Sequence, residues 1–521
     1  MFEGQPKGLY ALALANTGER FGYYTMLAIF TLFMQAKFGW TESTAGTVNA
    51  VFLAAVYFMP LLGGIVADKI GYGKCVTIGF ITMFLGYLGL AVPVGNDMNG
   101  QIAMFTGLAC VSIGTGFFKG NLQVLVGNLY DDPKYSARRD DAFSLFYMAI
   151  NIGSMFAPAM ANWITNWHLS KYNMVYDAAN HSPEYLQALY EGYGLCFGVA
   201  CASVVLSAVI YYCTRKLYKH ADVTVKQAKE TSAPVEELTP KQTKDRITAL
   251  LLVFAVVIFF WMAFHQNGSA LTFFAKKYTD LQVGGGMRFW FNIFSLALIA
   301  VAVYTGFAIF QSKKIAVKII CGIITGILLA IALGMIIYYI FFADGEVKAQ
   351  PSDFQQFNPF FVVALTPFSM LFFGSLAKKG KEVSAPMRIG LGMFVAAIGF
   401  TVILFSSFGL TSPMDLGQDA TQPILSPNWL ISTYFTLTIA ELLLSPMGIS
   451  FVTKVAPPKY KGLMMGGWFV ATAIGNYLSS IPSQLWDKIP LVYNWAILIG
   501  LCLISAIVMF ALLKKLKAMT A

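Results

Sequence analysis

The chain has 521 residues, of which 57% are hydrophobic and only 12% charged, with 44 Phe, 25 Tyr and 9 Trp. Soluble domains carry about a quarter charged residues, so this composition excludes an ordinary aqueous protein and indicates a polytopic membrane protein. The formal charge of +10 would suit nucleic acid only if it were gathered into one patch, and it follows membrane topology instead.

A bilayer is crossed by about 20 mostly apolar residues. The sequence predicts fourteen such spans: 9–34, 45–67, 75–94, 101–129, 142–163, 186–213, 247–275, 289–311, 316–342, 358–377, 386–409, 427–453, 462–483 and 490–513. The opening stretch MFEGQPKGLYALALANTGERFGYY lacks a basic segment, a clean apolar core and a small-residue cleavage site, so the first span is expected to stay as a helix. With both termini cytoplasmic, 27 of the 36 Lys and Arg fall on the cytoplasmic side, counting Lys318 and Arg388 at the cytoplasmic ends of their spans, and 7 outside; Arg20 and Lys119 lie deep within spans. That bias obeys the positive-inside rule and removes nucleic acid as a partner. The absence of long external domains favours a bacterial inner membrane.

The most basic connection, 214–246, is polar and poor in aromatics and reads as a cytoplasmic linker. It separates an N-terminal bundle of six helices (1–213) from a C-terminal region (247–521). The seven cysteines (Cys75, Cys110, Cys196, Cys201, Cys213, Cys321 and Cys502) lie in or beside apolar runs without CxxC spacing. Neither a disulfide framework nor a zinc site is indicated, and no cofactor is expected.

Ionisable residues inside membrane helices cost roughly 2.5 to 3.5 kcal/mol each on insertion scales, and therefore mark candidate functional sites. Five qualify: Glu19 and Arg20 on span 1, Lys119 on span 4, His265 on span 7 and Glu441 on span 12. The competing reading is that they only staple helices together. Glu19 and Arg20 are consecutive and point about 100° apart on a helix, so each is expected to need other partners. A pair between Lys119 and Glu441 would join the two halves and would have to open for them to move. His265 is either a hydrogen-bonded core residue or a proton carrier. Tyr23, Tyr24, Tyr57, Asn151, Trp261, Asn358, Trp468 and Asn476 lie near the same positions. Singly such residues are mostly packing; together they describe an aromatic-walled polar cavity. With positive charge on one half and negative on the other, it suits a zwitterion such as a short peptide.

Five segments carry a resemblance to a known family. Span 1 has ERFGYYTM (19–26), span 4 GTGFFKGN (114–121) and span 5 FYMAINIGS (146–154); spans 12 and 13 hold AELLLSPMGISFVTKVAPPKYKGLMMGGWF (440–469). The stretch GGIVADKIGYGK (63–74), with Asp68, is similar to the gating loop that major facilitators carry between helices 2 and 3. In this order the motifs resemble the proton-dependent oligopeptide transporter family, over nearly the whole chain. The resemblance implies the major facilitator fold, an all-α membrane protein of two six-helix bundles related by an axis along the membrane normal. Two of the fourteen spans are then an extra hairpin, about 289–342, between family helices 7 and 8. Many bacterial members carry it between helices 6 and 7. The hairpin is expected to pack outside the bundle and to take no part in transport.

The resemblance further implies import of di- and tripeptides with protons, by a protein that works as a monomer in lipid. Arg20 and Lys119 would hold the peptide carboxylate, and Glu441 with Asn151 and Asn358 its amino terminus. Tyr23, Tyr24, Tyr57, Trp261 and Trp468 would line side-chain pockets. Glu19, Lys119, His265, Glu441 and Asp68 would serve proton coupling and gating. Three positions depart from the family pattern: Asn16 and His265 replace acids, and Leu27 replaces a basic residue. The last two positions form an inter-bundle salt bridge in the family, so the outer gate of this chain must close by other contacts. Coupling then falls to Glu19, Glu441 and His265, or is altered. Alternatives are a carrier of another small zwitterion or anion, and a non-transporting sensor on a transporter fold. An enzyme is disfavoured, because no nucleophile–base arrangement, metal cluster or phosphate loop is present.

Overall fold

A computed structural model describes residues 4–132, 134–135, 139–222, 238–381, 383–417, 420–457 and 460–520. Long helices dominate in the order α1 Lys7–Phe38, α2 Glu42–Ile70, α3 Tyr72–Ala91, α4 Met98–Asn128, α5 Arg139–Ser170, α6 Pro183–Cys213 and α7 Pro240–Phe264. They continue as α8 Ile293–Gln311, α9 Ile315–Phe341, α10 Phe357–Lys378, α11 Ala385–Ser406, α12 Asn428–Val455, α13 Lys461–Leu478 and α14 Leu491–Thr520. Each expected span has its helix. Among the described residues, eleven helical stretches are long and apolar enough to cross a membrane.

Local chemistry sets the ends. The Thr41 hydroxyl accepts from Thr44 N and starts α2, Asp97 accepts from Gly100 N (3.1 Å) and starts α4, and Thr239 forms a capping box with Gln242 before α7. Such caps satisfy the amides that a helix start leaves unpaired. Gly39, at φ 65°, closes α1 in the left-handed conformation that glycine adopts most readily.

Two expectations change. The stretch 63–74 is not a loop: α2 runs to Ile70, and Gly71 alone (φ 100°) turns the chain into α3. Span 247–275 is not one helix. After Phe264 the backbone tightens into a 3-10 turn, His265–Gly268, before a second helical piece, Ala270–Tyr278. Carbonyls freed by the break find partners: Asn267 O accepts from Thr272 (2.6 Å) and Tyr434 (3.3 Å), and Gly268 O accepts from Thr31 on α1 (3.2 Å). A broken helix is tolerated at membrane depth only where neighbours supply such groups. The linker 214–246 is described in part. Residues 214–222 form two short 3-10 turns, and Asp222 accepts from Gly73 N (2.9 Å) at the start of α3. Residues 223–237 lie outside the described residues.

Helices α1–α6 pack chiefly among themselves, with α3 on α4, α1 on α5 and α6, and α2 on α4. Helices α11, α12 and α14 form a second group, which α7, α10 and α13 complete. The groups meet where α2 faces α13 and where α5 faces α10. The inserted helices α8 and α9 pack on each other, and α8 rests on α10. Only 6% of the apolar window of α9 is buried, as for a helix whose surroundings are lipid. A two-stranded antiparallel sheet, β1 Gln282–Val283 with β2 Val347–Lys348, ties together the chain entering and leaving the hairpin. An even number of spans puts both chain ends at one end of the bundle, and the opposite end is called distal below.

Candidate functional site

Glu19 and Arg20 are both buried, at 0% and 3% exposure, and they bond to each other. Arg20 Nε donates to Glu19 Oε2 (2.5 Å) and Nη2 to Oε1 (2.7 Å). The expectation that consecutive residues need separate partners fails because it follows Cβ directions, whereas these long side chains fold back to meet. The Arg20 guanidinium also stands 4.7 Å from the Tyr23 ring, which meets Tyr24 edge-on.

Lys119, three residues after Gly116 on α4, sets its ammonium 4.0 Å from the Tyr57 ring centroid. Among the described residues it makes no salt bridge, and the expected pair with Glu441 is not formed. A cation over an aromatic face is partly stabilised by the ring quadrupole, which lets the lysine remain without a carboxylate. The Tyr57 ring lies 5.9 Å from His265, whose ring is 5.3 Å from Trp261. Lys119, Tyr57, His265 and Trp261 thus form a chain of contacts from one half to the other. His265 sits where α7 breaks, and its Nδ1 lies 3.1 Å from Trp261 O. A carbonyl can only accept, so Nδ1 carries the proton in that contact.

Glu441 on α12 is 7% exposed and is held by neutral donors. Tyr147 Oη donates to Oε1 (3.0 Å) and Asn358 Nδ2 to Oε2 (2.8 Å). Asn151 does not reach Glu441; its Nδ2 donates to Tyr147 O (3.0 Å), so it supports the tyrosine instead. Tyr147 was not among the expected site residues, although it lies one turn before Asn151 in the FYMAINIGS segment, on the same helix face. Trp468 is buried against Phe254 (6.2 Å between centroids) beneath Gly448, where a side chain would strike the indole. Asn476 reaches across to Leu53 O on α2 (3.5 Å). Asp68 is apart from this cluster: it is exposed and accepts from Tyr72 Oη (3.0 Å).

The three departures from the family pattern have distinct settings. Asn16 is buried and its Nδ2 has no hydrogen-bond partner among the described residues; the same holds for Tyr23 Oη and Trp261 Nε1. Leu27 packs against the apolar core. His265 faces Tyr57, Trp261 and Phe264.

At the distal end the two halves are joined by polar contacts. Lys276 donates to Gln35 (2.9 Å), Lys277 pairs with Glu42 (3.6 Å), and Gln355 donates to Ala28 O (3.2 Å). Asn162 on α5 donates to Asp353 (2.5 Å) and accepts from Ser352 (2.7 Å), Gln350 donates to Asn166 (2.8 Å), and Lys348 pairs with Asp177 (3.4 Å). None of these partners stood out in the sequence, because their polar side chains lie near span ends or in the connections, where polar residues are ordinary.

The POT family model matches residues 74–233 and 340–499. The chain belongs to the POT family. Its similarity to individual POT proteins is distant but complete. It is 26% identical to the peptide transporter YePEPT of Yersinia enterocolitica over 92% of this chain and 88% of that protein. It is 26% identical to the dipeptide and tripeptide permease B of Xenorhabdus bovienii over 91% and 86%. A peptide transporter POT solved with alafosfalin superposes with a TM-score of 0.71 at 22% identity, covering 100% of this chain and 97% of that one. A POT family transporter solved with 5-aminolevulinic acid gives the same TM-score at 18% identity. These likenesses fix the fold as that of POT transporters and the class as transporter rather than enzyme. The stretch between the two matched blocks, 234–339, holds α7 and all but the last two residues of the hairpin helices α8 and α9.

Proposed function

We propose that this POT protein imports di- and tripeptides with protons by alternating access, the substrate lying between its two halves. The observation that carries this reading is a buried lysine without a carboxylate on one half and, on the other, a buried carboxylate held by neutral donors. Arg20 is neutralised by Glu19, which leaves Lys119 without a carboxylate on one half. Among the described residues, Glu441 on the other half has only neutral donors, Tyr147 and Asn358. A peptide bridging them would meet Lys119 with its carboxylate and Glu441 with its ammonium. Arg20 would add to the positive field, and the donors Asn16 Nδ2, Tyr23 Oη and Trp261 Nε1 would be available to the ligand or its water. Tyr23, Tyr24, Tyr57, Trp261 and Trp468 would form the walls, and Asn151 would hold Tyr147 in register. Recognition through charged termini leaves side chains loosely specified. In the absence of peptide, closing Lys119 onto Glu441 would allow the site to change sides uncharged. With both termini cytoplasmic, the distal end faces outward. The names of the relatives, peptide transporters and permeases, support the substrate class.

Proton coupling would rest on Glu441 and Glu19, with His265 as a further carrier. A second reading, weakened coupling, is favoured by one observation: where the family has acids, this chain has Asn16 and His265, and the imidazole faces aromatic rings. Uptake of labelled dialanine into liposomes, with and without an inward proton gradient, decides between them. Accumulation above equilibrium, competed by other di- and tripeptides, is the expected result. Equilibration without accumulation would establish the weakened form, and no uptake would overturn the substrate.

A further inference from the structure

The helix 1 to helix 7 salt bridge of the family has no counterpart here, since Leu27 and His265 stand at its two positions. We infer that the strap 347–356, which leads from the inserted hairpin into α10, is a latch that closes the outer side of this transporter on α5. The inference rests on the alternating-access reading.

Its seat is built of buried side chains. Gln350 and Ser352 are fully buried, and Asn162 is 4% exposed. Strap residues at alternate positions reach successive points along α5 and the connection beyond it: Ser352 and Asp353 meet Asn162, Gln350 meets Asn166 one turn on, and Lys348 meets Asp177. Asn162 uses its amide as donor and its carbonyl as acceptor at once. Asp353 offers its second oxygen to Gln350 N (2.8 Å), which fixes the shape of the strap while the first is held by Asn162.

The other side of the strap belongs to the C-terminal half. Val347 and Lys348 pair with β1, and Ala349 N donates to Leu281 O (2.8 Å). Five residues after Asp353, the same chain carries Asn358, which donates to Glu441. A strap bound to one half by backbone pairing and to the other by side chains alone must part at the side chains when the halves separate. Because it runs straight into α10, that parting also bears on the residue that positions Glu441. The insertion, expected from sequence to be a bystander, is therefore tied through its return segment to the gate.

Cysteines introduced as Asn162→Cys with Ser352→Cys test the latch in the full-length protein in liposomes. Oxidation is expected to form the 162–352 disulfide, detectable by mass spectrometry, and to lower dialanine uptake at least tenfold, with recovery on reduction. Equal uptake by oxidised and reduced protein, or failure of the disulfide to form, overturns the latch. A second measurement is independent of substrate. Spin labels on p-acetylphenylalanine placed at Val175 and Ile424, exposed positions on the distal connections of the two halves, report their separation. Asn162→Ala is expected to add a longer distance to the distribution of the unaltered protein, and an unchanged distribution overturns the latch. If the reduced protein takes up no dialanine while that distance shift appears, the substrate reading fails and the latch stands.

Discussion

Glu19 and Glu441 lie on opposite halves of the site, and they are held in opposite ways. Glu19 is locked by two charge-assisted bonds from its own neighbour, Arg20, and the pair is electrically closed. Among the described residues Glu441 accepts only from a phenol and an amide, so no described side chain that touches it compensates its charge. A buried ion pair resists change because removing one member strands the other. A carboxylate held by neutral donors is free to take a proton, a lysine or a substrate ammonium. On the proposed function, the first acid would hold the field in place and the second would respond to what arrives.

The sharpest way to break this contrast is Glu441→Gln. Removing the responsive charge is expected to lower gradient-driven dialanine uptake about 100-fold, in the range expected when one partner of a close charge pair is truncated. Uptake near the original rate would mean that Glu441 is only a hydrogen-bonded core residue. Next comes Arg20→Ala, which leaves Glu19 buried and alone. A loss of about 3–5 kcal/mol in stability is expected as a lowered melting temperature in detergent, and Glu19→Gln in the same chain should recover much of it. If the double variant is no more stable than the single, the two residues do not act as a closed pair. Tyr147→Phe removes one neutral bond to Glu441 and is expected to cost about 1 kcal/mol, seen as a roughly fivefold rise in KM with little change in stability. An unaltered KM would leave Asn358 as the sole donor that matters. The smallest effect is that of His265→Ala, expected to alter the pH dependence of uptake while leaving substrate competition intact. A superimposable pH profile would confine proton handling to the carboxylates.

Much of the fold was legible because membrane spans are written in composition: the fourteen apolar stretches located every long helix among the described residues. The break at His265–Gly268 was not, since no proline marks it and the residues remain apolar on either side. Its cause is tertiary, in that Thr31 and Tyr434 capture the freed carbonyls. Within the site, the charged residues announced themselves by being expensive in lipid. Their pairing did not, because helical projection gives the direction of a Cβ and not the reach of an arginine. Tyr147 could have been found as the residue one turn before Asn151. The contacts of Asn162 with Ser352 and Asp353 could not, since they join segments about 190 residues apart and neither segment carries a local sign of the other.

The ion pair of α1 has a consequence for how the chain is made. Glu19 and Arg20 lie mid-way along this helix, with Lys7 and Lys37 near its ends, and α1 is absent from the stretches apolar enough to cross a membrane by themselves. At the translocon, where each charge at a helix centre is penalised, α1 is a poor candidate for release into lipid on its own. Internal neutralisation of Glu19 by Arg20 lowers that barrier without the help of another helix. The remaining deficit is met only when α5 and α6, which cover α1 in the finished protein, have been synthesised. Biogenesis of the N-terminal half is therefore expected to be a joint event, with α1 retained at the exit site until its later neighbours arrive.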